Sequence, residues 1–161
     1  MVKASACISL VFAVLASPTA WGEESLILPP FAWPVAGQVV DEDDGRPCPS
    51  RHEGIDILVP DGTEVRASFD GTVIYAGSEV PSFGNLVLIR HDGGWVTVYG
   101  HNKELFVNRG EDIKIGDVIA RSGHSGYVAR PQLHFEIRNG QVPVNPARYL
   151  ELLKAQAPEL P

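Results

Sequence analysis

Glycine-centred turn signals recur along this chain at intervals too short for helices: Asp61-Gly62, Asp70-Gly71, Asp92-Gly93-Gly94, Arg109-Gly110 and Asn139-Gly140. The runs between them are short and rich in β-branched and aromatic residues, the composition of strands. They place strands near Gly37–Val40, Ile55–Leu58, Glu64–Ala67, Thr72–Ala76, Leu86–Arg90, Trp95–Tyr99, Val118–Arg121 and Leu133–Arg138. That rhythm predicts an all-β core, sandwich or barrel-like. One short helix is expected, at the C-terminal end. There Asn145 can cap and Pro146 takes the first helical position, so that Tyr149, Leu150, Leu152 and Leu153 dock on the sheet.

A faint internal echo runs through the strands. Gly62-Thr63-Glu64-Val65 followed by Gly71-Thr72-Val73-Ile74 resembles Gly110-Glu111-Asp112-Ile113 followed by Gly116-Asp117-Val118-Ile119. The gap between the halves is nine residues in one copy and six in the other. A coincidence of glycine turns and strand residues would produce much the same pattern.

The chain has 161 residues, room for one domain. Residues 1–22 read as a signal peptide. Lys3 supplies the positive start, Ile8 to Ala16 the short apolar run, and Ala20-Trp21-Gly22 a small-x-small cleavage site before Glu23. The apolar run is too short for the ~20 residues that span a bilayer, so no stable membrane insertion is expected after cleavage. A retained N-terminal anchor is the alternative. Cys7 precedes the apolar run, which is not where a lipoprotein cysteine stands. Residues 23–30 form an extended lead-in, 31–150 the domain and 151–161 a C-terminal tail. The reading is therefore of an exported protein, periplasmic or secreted. Cleavage removes Lys3 and takes the formal charge from −7 to −8, with 12 basic residues against 20 acidic ones. Such a surface carries no basic footprint for nucleic acid.

The chemistry sits on the last long strand. In Pro131-Gln132-Leu133-His134-Phe135-Glu136-Ile137-Arg138, apolar and polar residues alternate with period 2. Leu133, Phe135 and Ile137 would face a core, while Gln132, His134 and Glu136 face the other way, as on a half-buried strand. Far upstream lies Arg51-His52-Glu53-Gly54-Ile55-Asp56-Ile57. His52, Asp56 and His134 offer two imidazoles and one carboxylate, a donor set that zinc takes. Along a strand His52 and Asp56 would stand ~13 Å apart, so the chain must bend between them, and Gly54 is where bending costs least. The plainer reading of this pair alone is a surface histidine and a turn-stabilising aspartate.

Three further histidines carry expectations. His101 shares a strand parity with Trp95, Thr97 and Tyr99 and follows the end of that strand, where it can reach a cleft. His91, before Asp92-Gly93, reads as an exposed hairpin residue. His124, between Gly123 and Gly126, reads as part of a flexible surface loop. Cys48, after the acidic run Asp41-Glu42-Asp43-Asp44, is either an incidental loop thiol or a thiolate that closes an open zinc position.

Taken together, several stretches resemble the LytM/lysostaphin-type zinc peptidases, whose domain is called a duplicated hybrid motif. They are His52-x-Gly54-Ile55-Asp56, Gly62-Thr63-x-Val65-x-Ala67, Gly71-x-Val73, Tyr99-Gly100-His101, Gly116-x-x-Ile119 and Leu133-His134-Phe135-Glu136. They run in order from about Phe31 to Leu150. The resemblance implies a zinc-centred groove on a β-sheet, acting on the stem peptides or cross-bridges of bacterial peptidoglycan. It assigns the zinc ligands to His52, Asp56 and His134 and a catalytic role to His101.

One position departs from that pattern. The family's active form carries His-x-His where this chain has Gln132-Leu133-His134. A neutral amide can donate a hydrogen bond but cannot take up and return a proton near pH 7. Losing one such partner typically forfeits about 10²–10⁴ in rate. Arg130 stands where the resemblance implies a small residue, and its long cation would either narrow the groove or favour an acidic partner surface. Two functions stay open: an impaired zinc endopeptidase, or a non-hydrolytic activator of cell-wall amidases that uses the degenerate groove as a binding surface.

Overall fold

The computed structural model describes residues 29–40 and 53–150, which form ten strands joined in one antiparallel sheet. In chain order they are β1 (Gln38–Val40), β2 (Ile55–Leu58), β3 (Glu64–Arg66), β4 (Gly71–Gly77), β5 (Asn85–Arg90), β6 (Trp95–Leu105), β7 (Asp112–Ile113), β8 (Val118–Ser122), β9 (Gln132–Asn139) and β10 (Val142–Val144). The main path runs β1-β2-β9-β6-β5-β4-β7, with β10 against β9 and β8 between β3 and β6. Every predicted strand is present, most of them a residue or two longer or shorter than expected. The short β7 and β10 were not anticipated. Each is a two- or three-residue strand whose pairing comes from its neighbour rather than from its own pattern.

Residues 146–150 are helical and begin at Pro146, where the Ala147 amide donates to Asn145 Oδ1 at 3.0 Å. Leu150 is fully buried and Tyr149 packs its ring edge against Trp95 and Phe31, which docks the helix as expected. Leu152 and Leu153 lie outside the described residues, as do the stretch 1–22 read as a signal peptide and the rest of 151–161.

The internal echo has a spatial counterpart. The first copy supplies β3 and β4, the second β7 and β8, and they pair crosswise, β3 with β8 and β4 with β7. The turns interlock as well: Ala67 N–H donates to Asp117 O and Gly116 N–H to Ala67 O, both at 2.9 Å.

Strand β9 is the strand that carries the site, and it is more enclosed than its alternation implies. Leu133, Phe135 and Ile137 are wholly buried in the core, each worth about 1.5–3 kcal/mol of apolar burial. Gln132, His134 and Glu136 are buried too, on the opposite face. The half-buried reading is therefore corrected: other chain segments cover the polar face.

Strand β6 changes partners halfway. Trp95–Gly100 pair with β9, while Asn102, Glu104 and Leu105 pair with β8. His101 stands at the switch with φ of 64°, the one non-glycine residue with positive φ among the described residues. It lies inside the strand rather than after its end. The kink breaks the parity it would share with Tyr99, which stays in the core.

Candidate functional site

Three neighbouring strands converge on His134. Its cross-strand partners are Asp56 on β2 and Gly100 on β6, and Gln132 lies opposite Leu58. Directly opposed residues on antiparallel strands bring their Cβ atoms to about 5 Å, close enough for side chains to bond. The His134 Nδ1 lies 2.8 Å from Asp56 Oδ1, and its Nε2 lies 2.9 Å from Glu136 Oε1. Arg138 Nε donates to Glu136 Oε2 at 2.5 Å, and Arg138 Nη2 reaches Glu53 Oε2 at 3.3 Å. A chain of alternating charge thus runs from the buried centre to the surface.

The electrostatics follow from these contacts. Burial pulls the His134 pKa down, but the carboxylates of Asp56 and Glu136 outweigh it and push it up to about 9. For Glu136 burial pushes the carboxyl upward, and the hydrogen bonds from His134 and Arg138 more than reverse it, leaving it below the usual glutamate range. This corner is built to hold positive charge between anions.

Gly54 forms the bend expected of it, just before β2, and has a second role. A Cβ there would stand 2.6 Å from Phe135 O, 2.8 Å from Glu136 Cγ and 3.2 Å from His134 Cε1. Only glycine lets this segment lie flat over the polar face of β9.

His101 enters the cleft from the β6 kink. Its backbone N–H donates to Phe83 O at 2.8 Å, and its Nδ1 lies 2.9 Å from Ser125 O. A carbonyl only accepts, so Nδ1 carries a proton and donates it to Ser125 O, which fixes the direction of the ring. The His101 and His134 ring centroids are 5.9 Å apart. Phe83 stands beside both at the third corner of a triangle, stacked on His101 at 6.4 Å and edge-on to His134 at 5.3 Å. Two loops lock together to hold this wall. Asn85 N–H donates to Ser125 Oγ, Ser125 Oγ–H to Asn102 O, and Tyr127 N–H to Ser82 O. Gly84 and Gly126, both at positive φ, meet where the loops touch and leave no room for a Cβ.

Gln132 occupies the same face two residues before His134, with 3% of its surface exposed. Its backbone N–H donates to Gly123 O at 3.0 Å, and its amide makes no hydrogen bond to another described residue. Where a proton carrier would be needed, the cleft presents a neutral group.

Of the residues singled out from sequence, the structure brings Asp56, His134, His101 and Gln132 into one cleft. His52, Cys48 and the Asp41–Asp44 run lie outside the described residues. Among the described residues no group of three or more His, Cys, Asp or Glu side chains is arranged to hold a metal ion. The two candidate ligands that are described fit zinc in chemistry and placement: a buried carboxylate and a buried imidazole on adjacent strands, with donor atoms facing each other. Arg130 and His124 are exposed on the loop before β9, as expected of His124.

The reading of His91 as exposed is corrected. It is 4% exposed, with Nδ1 2.7 Å from Asp70 O and Nε2 2.8 Å from Thr97 Oγ1. The tight turn at 92–94 folds the ring back under Phe31 and Phe69. Burial holds its pKa below the ordinary value, although the Asp70 carbonyl acts in the other direction.

Sequence reasoning missed Phe83 and Arg138. Arg138 shares the parity of His134 and Glu136, a signal that was available. Phe83 lies in a Pro-Ser-Phe-Gly turn, where nothing in the pattern says which way a ring points.

Comparison with known proteins places this geometry. The sequence profile described as Peptidase family M23 matches residues 50–146. Over 122 residues the chain is 43% identical to the lipoprotein NlpD/LppB homolog of Pseudomonas aeruginosa, covering 74% of this chain and 39% of that protein. It is 36% identical over 120 residues to the murein hydrolase activator NlpD of Escherichia coli, covering 74% and 31%. Among solved structures, a zinc containing peptidase from Vibrio cholerae superposes with a TM-score of 0.65 at 31% identity, covering 72% of this chain and 39% of that one. The match spans less than half the length of the curated relatives, 21% to 47% in the first three.

Proposed function

Because the chain belongs to peptidase family M23, we propose that it is an exported, zinc-binding cell-wall factor that works by binding rather than by hydrolysis, stimulating a cell-wall amidase through its degenerate groove. The observation that carries this reading is Gln132, a buried neutral amide on the face of His134. Relatives named as murein hydrolase activators support it. So does the sequence of residues 1–22, which reads as an export signal, together with relatives named as lipoproteins.

In this reading His52, Asp56 and His134 hold zinc. Zinc bound there would supply Lewis acidity and a water with pKa near ~7. The chain's own residues do the rest. Asp56 and Glu136 bracket the His134 ring and fix its direction. His101 gives Nδ1–H to Ser125 O, which fixes its ring at the cleft. Gln132 can donate a hydrogen bond to a peptide carbonyl but cannot carry a proton away from water. Phe83 gives the groove an apolar wall for a peptide backbone or an amidase segment.

A second reading, weak zinc endopeptidase activity on peptidoglycan stem peptides or cross-bridges, is favoured by the Asp56–His134 pair and by the placement of His101. Incubation of purified full chain with muropeptides, alone and with a cell-wall amidase, separates the two. An activator releases nothing alone and raises the amidase rate. Products from the chain alone that vanish with a chelator would establish the endopeptidase.

A further inference from the structure

The contacts around β9 include a guanidinium that the site chemistry described so far does not use. Glu136 is 2% exposed and gives one oxygen to His134 Nε2 and the other to Arg138 Nε. The other arm of Arg138 reaches out to Glu53, which is the residue directly after His52 in the chain. We infer that Arg138 is a positioning residue for the metal site, holding Glu136 behind His134 with one arm and Glu53, next to His52, with the other. This rests on the reading that His52, Asp56 and His134 bind zinc.

The physical argument starts from the imidazole. A ring can give its Nδ1 lone pair to a metal only if its remaining proton sits on Nε2. Glu136 Oε1, 2.9 Å from Nε2, accepts that proton and selects the tautomer. A buried carboxylate with one bond could turn away, and the 2.5 Å bond from Arg138 to its second oxygen prevents this. The planar fork of arginine then spans to a second carboxylate, which a lysine, with a single point charge, does not reproduce. Glu53 is about half exposed, so its ion pair adds little to stability by itself. Its value is positional: it pins the segment leading out of His52 to the same strand that carries His134.

The test measures zinc affinity of the full chain by competition with a chromophoric chelator, for wild type, Glu136→Gln, Arg138→Lys and Glu53→Gln. Thermal midpoints serve as the folding control. Glu136→Gln is expected to weaken zinc binding by about 10–100-fold and Arg138→Lys by about tenfold, with Glu53→Gln weaker by a smaller factor. The long-range ¹H–¹⁵N spectrum of the zinc-loaded wild type should show His134 protonated at Nε2, and that signature should broaden or mix in Glu136→Gln. Glu53→Gln and Arg138→Lys combined should be no worse than Arg138→Lys alone, since both cut the same arm. Wild-type affinity and an unchanged ring signature in Arg138→Lys and Glu53→Gln would overturn the inference and leave zinc binding standing. Failure of the wild type to take up zinc would instead overturn the zinc reading, and this inference with it. The surface position of Glu53 keeps the test decisive should a buried variant fail to fold.

Discussion

Two histidines of this chain are buried to nearly the same extent, and both use both ring nitrogens, yet they are opposite in chemistry. His91 meets a backbone carbonyl and a threonine hydroxyl. His134 meets two carboxylates. Neutral partners leave burial in charge and hold His91 below its ordinary pKa. Anionic partners overcome burial and hold His134 well above it. Burial alone therefore says nothing about which histidine belongs to a functional site; the charge of its partners does.

The comparison is broken most severely by deleting each ring. His134→Ala should abolish zinc uptake altogether, measured by elemental analysis after purification without chelators, whereas His91→Ala should leave zinc stoichiometry unchanged. His91→Ala should instead destabilise the fold by about 2–3 kcal/mol in denaturant unfolding, because it leaves a cavity and the Thr97 hydroxyl without its partner. Zinc retained by His134→Ala would mean that the ligand set is wrong.

Gly54 sharpens the contrast from the backbone side. Gly54→Ala drives a methyl to 2.6 Å from Phe135 O and against the His134 ring. It should cost about 1–3 kcal/mol and loosen zinc as well, read by unfolding and by chelator competition. A variant as stable and as zinc-competent as wild type would show that the 53–56 segment is not packed on β9 as described.

A smaller effect is expected from pH. The folded pKa of His91 lies below its unfolded value of about 6.5. Between the two values the unfolded chain binds more protons, so stability is complete above about 6.5 and is lost as pH falls through the folded value. His91→Gln should lack this component of the acid-side loss. The smallest effect belongs to His124, whose exposed side chain lies 3.6 Å from Asp61. His124→Ala should change stability by less than about 0.5 kcal/mol.

How much of this could be read in the sequence depends on whether a residue's partners are near it in the pattern. Ile55–Leu58 could be read to the residue because its alternation and its flanking turns agree. The Asn145-Pro146 helix start was legible because capping is local chemistry. That Asp56 and His134 meet was legible, since it required only that β2 and β9 pair in register. His91 was misread because its burial comes from Phe31 and Phe69, far along the chain. His101 was placed after a strand that in fact continues, since nothing local announces that β6 will leave β9 for β8. Phe83 could not be found at all, because its ring is aimed by contacts between two loops rather than by its own neighbours.

The central claim is that the metal-holding half of this cleft is kept while proton transfer is lost at Gln132. The most direct measurement is muropeptide hydrolysis by zinc-loaded full chain, wild type beside Gln132→His. The account predicts background hydrolysis for wild type and a rise of about 10²-fold or more for the variant. Chelator-sensitive hydrolysis by wild type at a rate matching Gln132→His would contradict it.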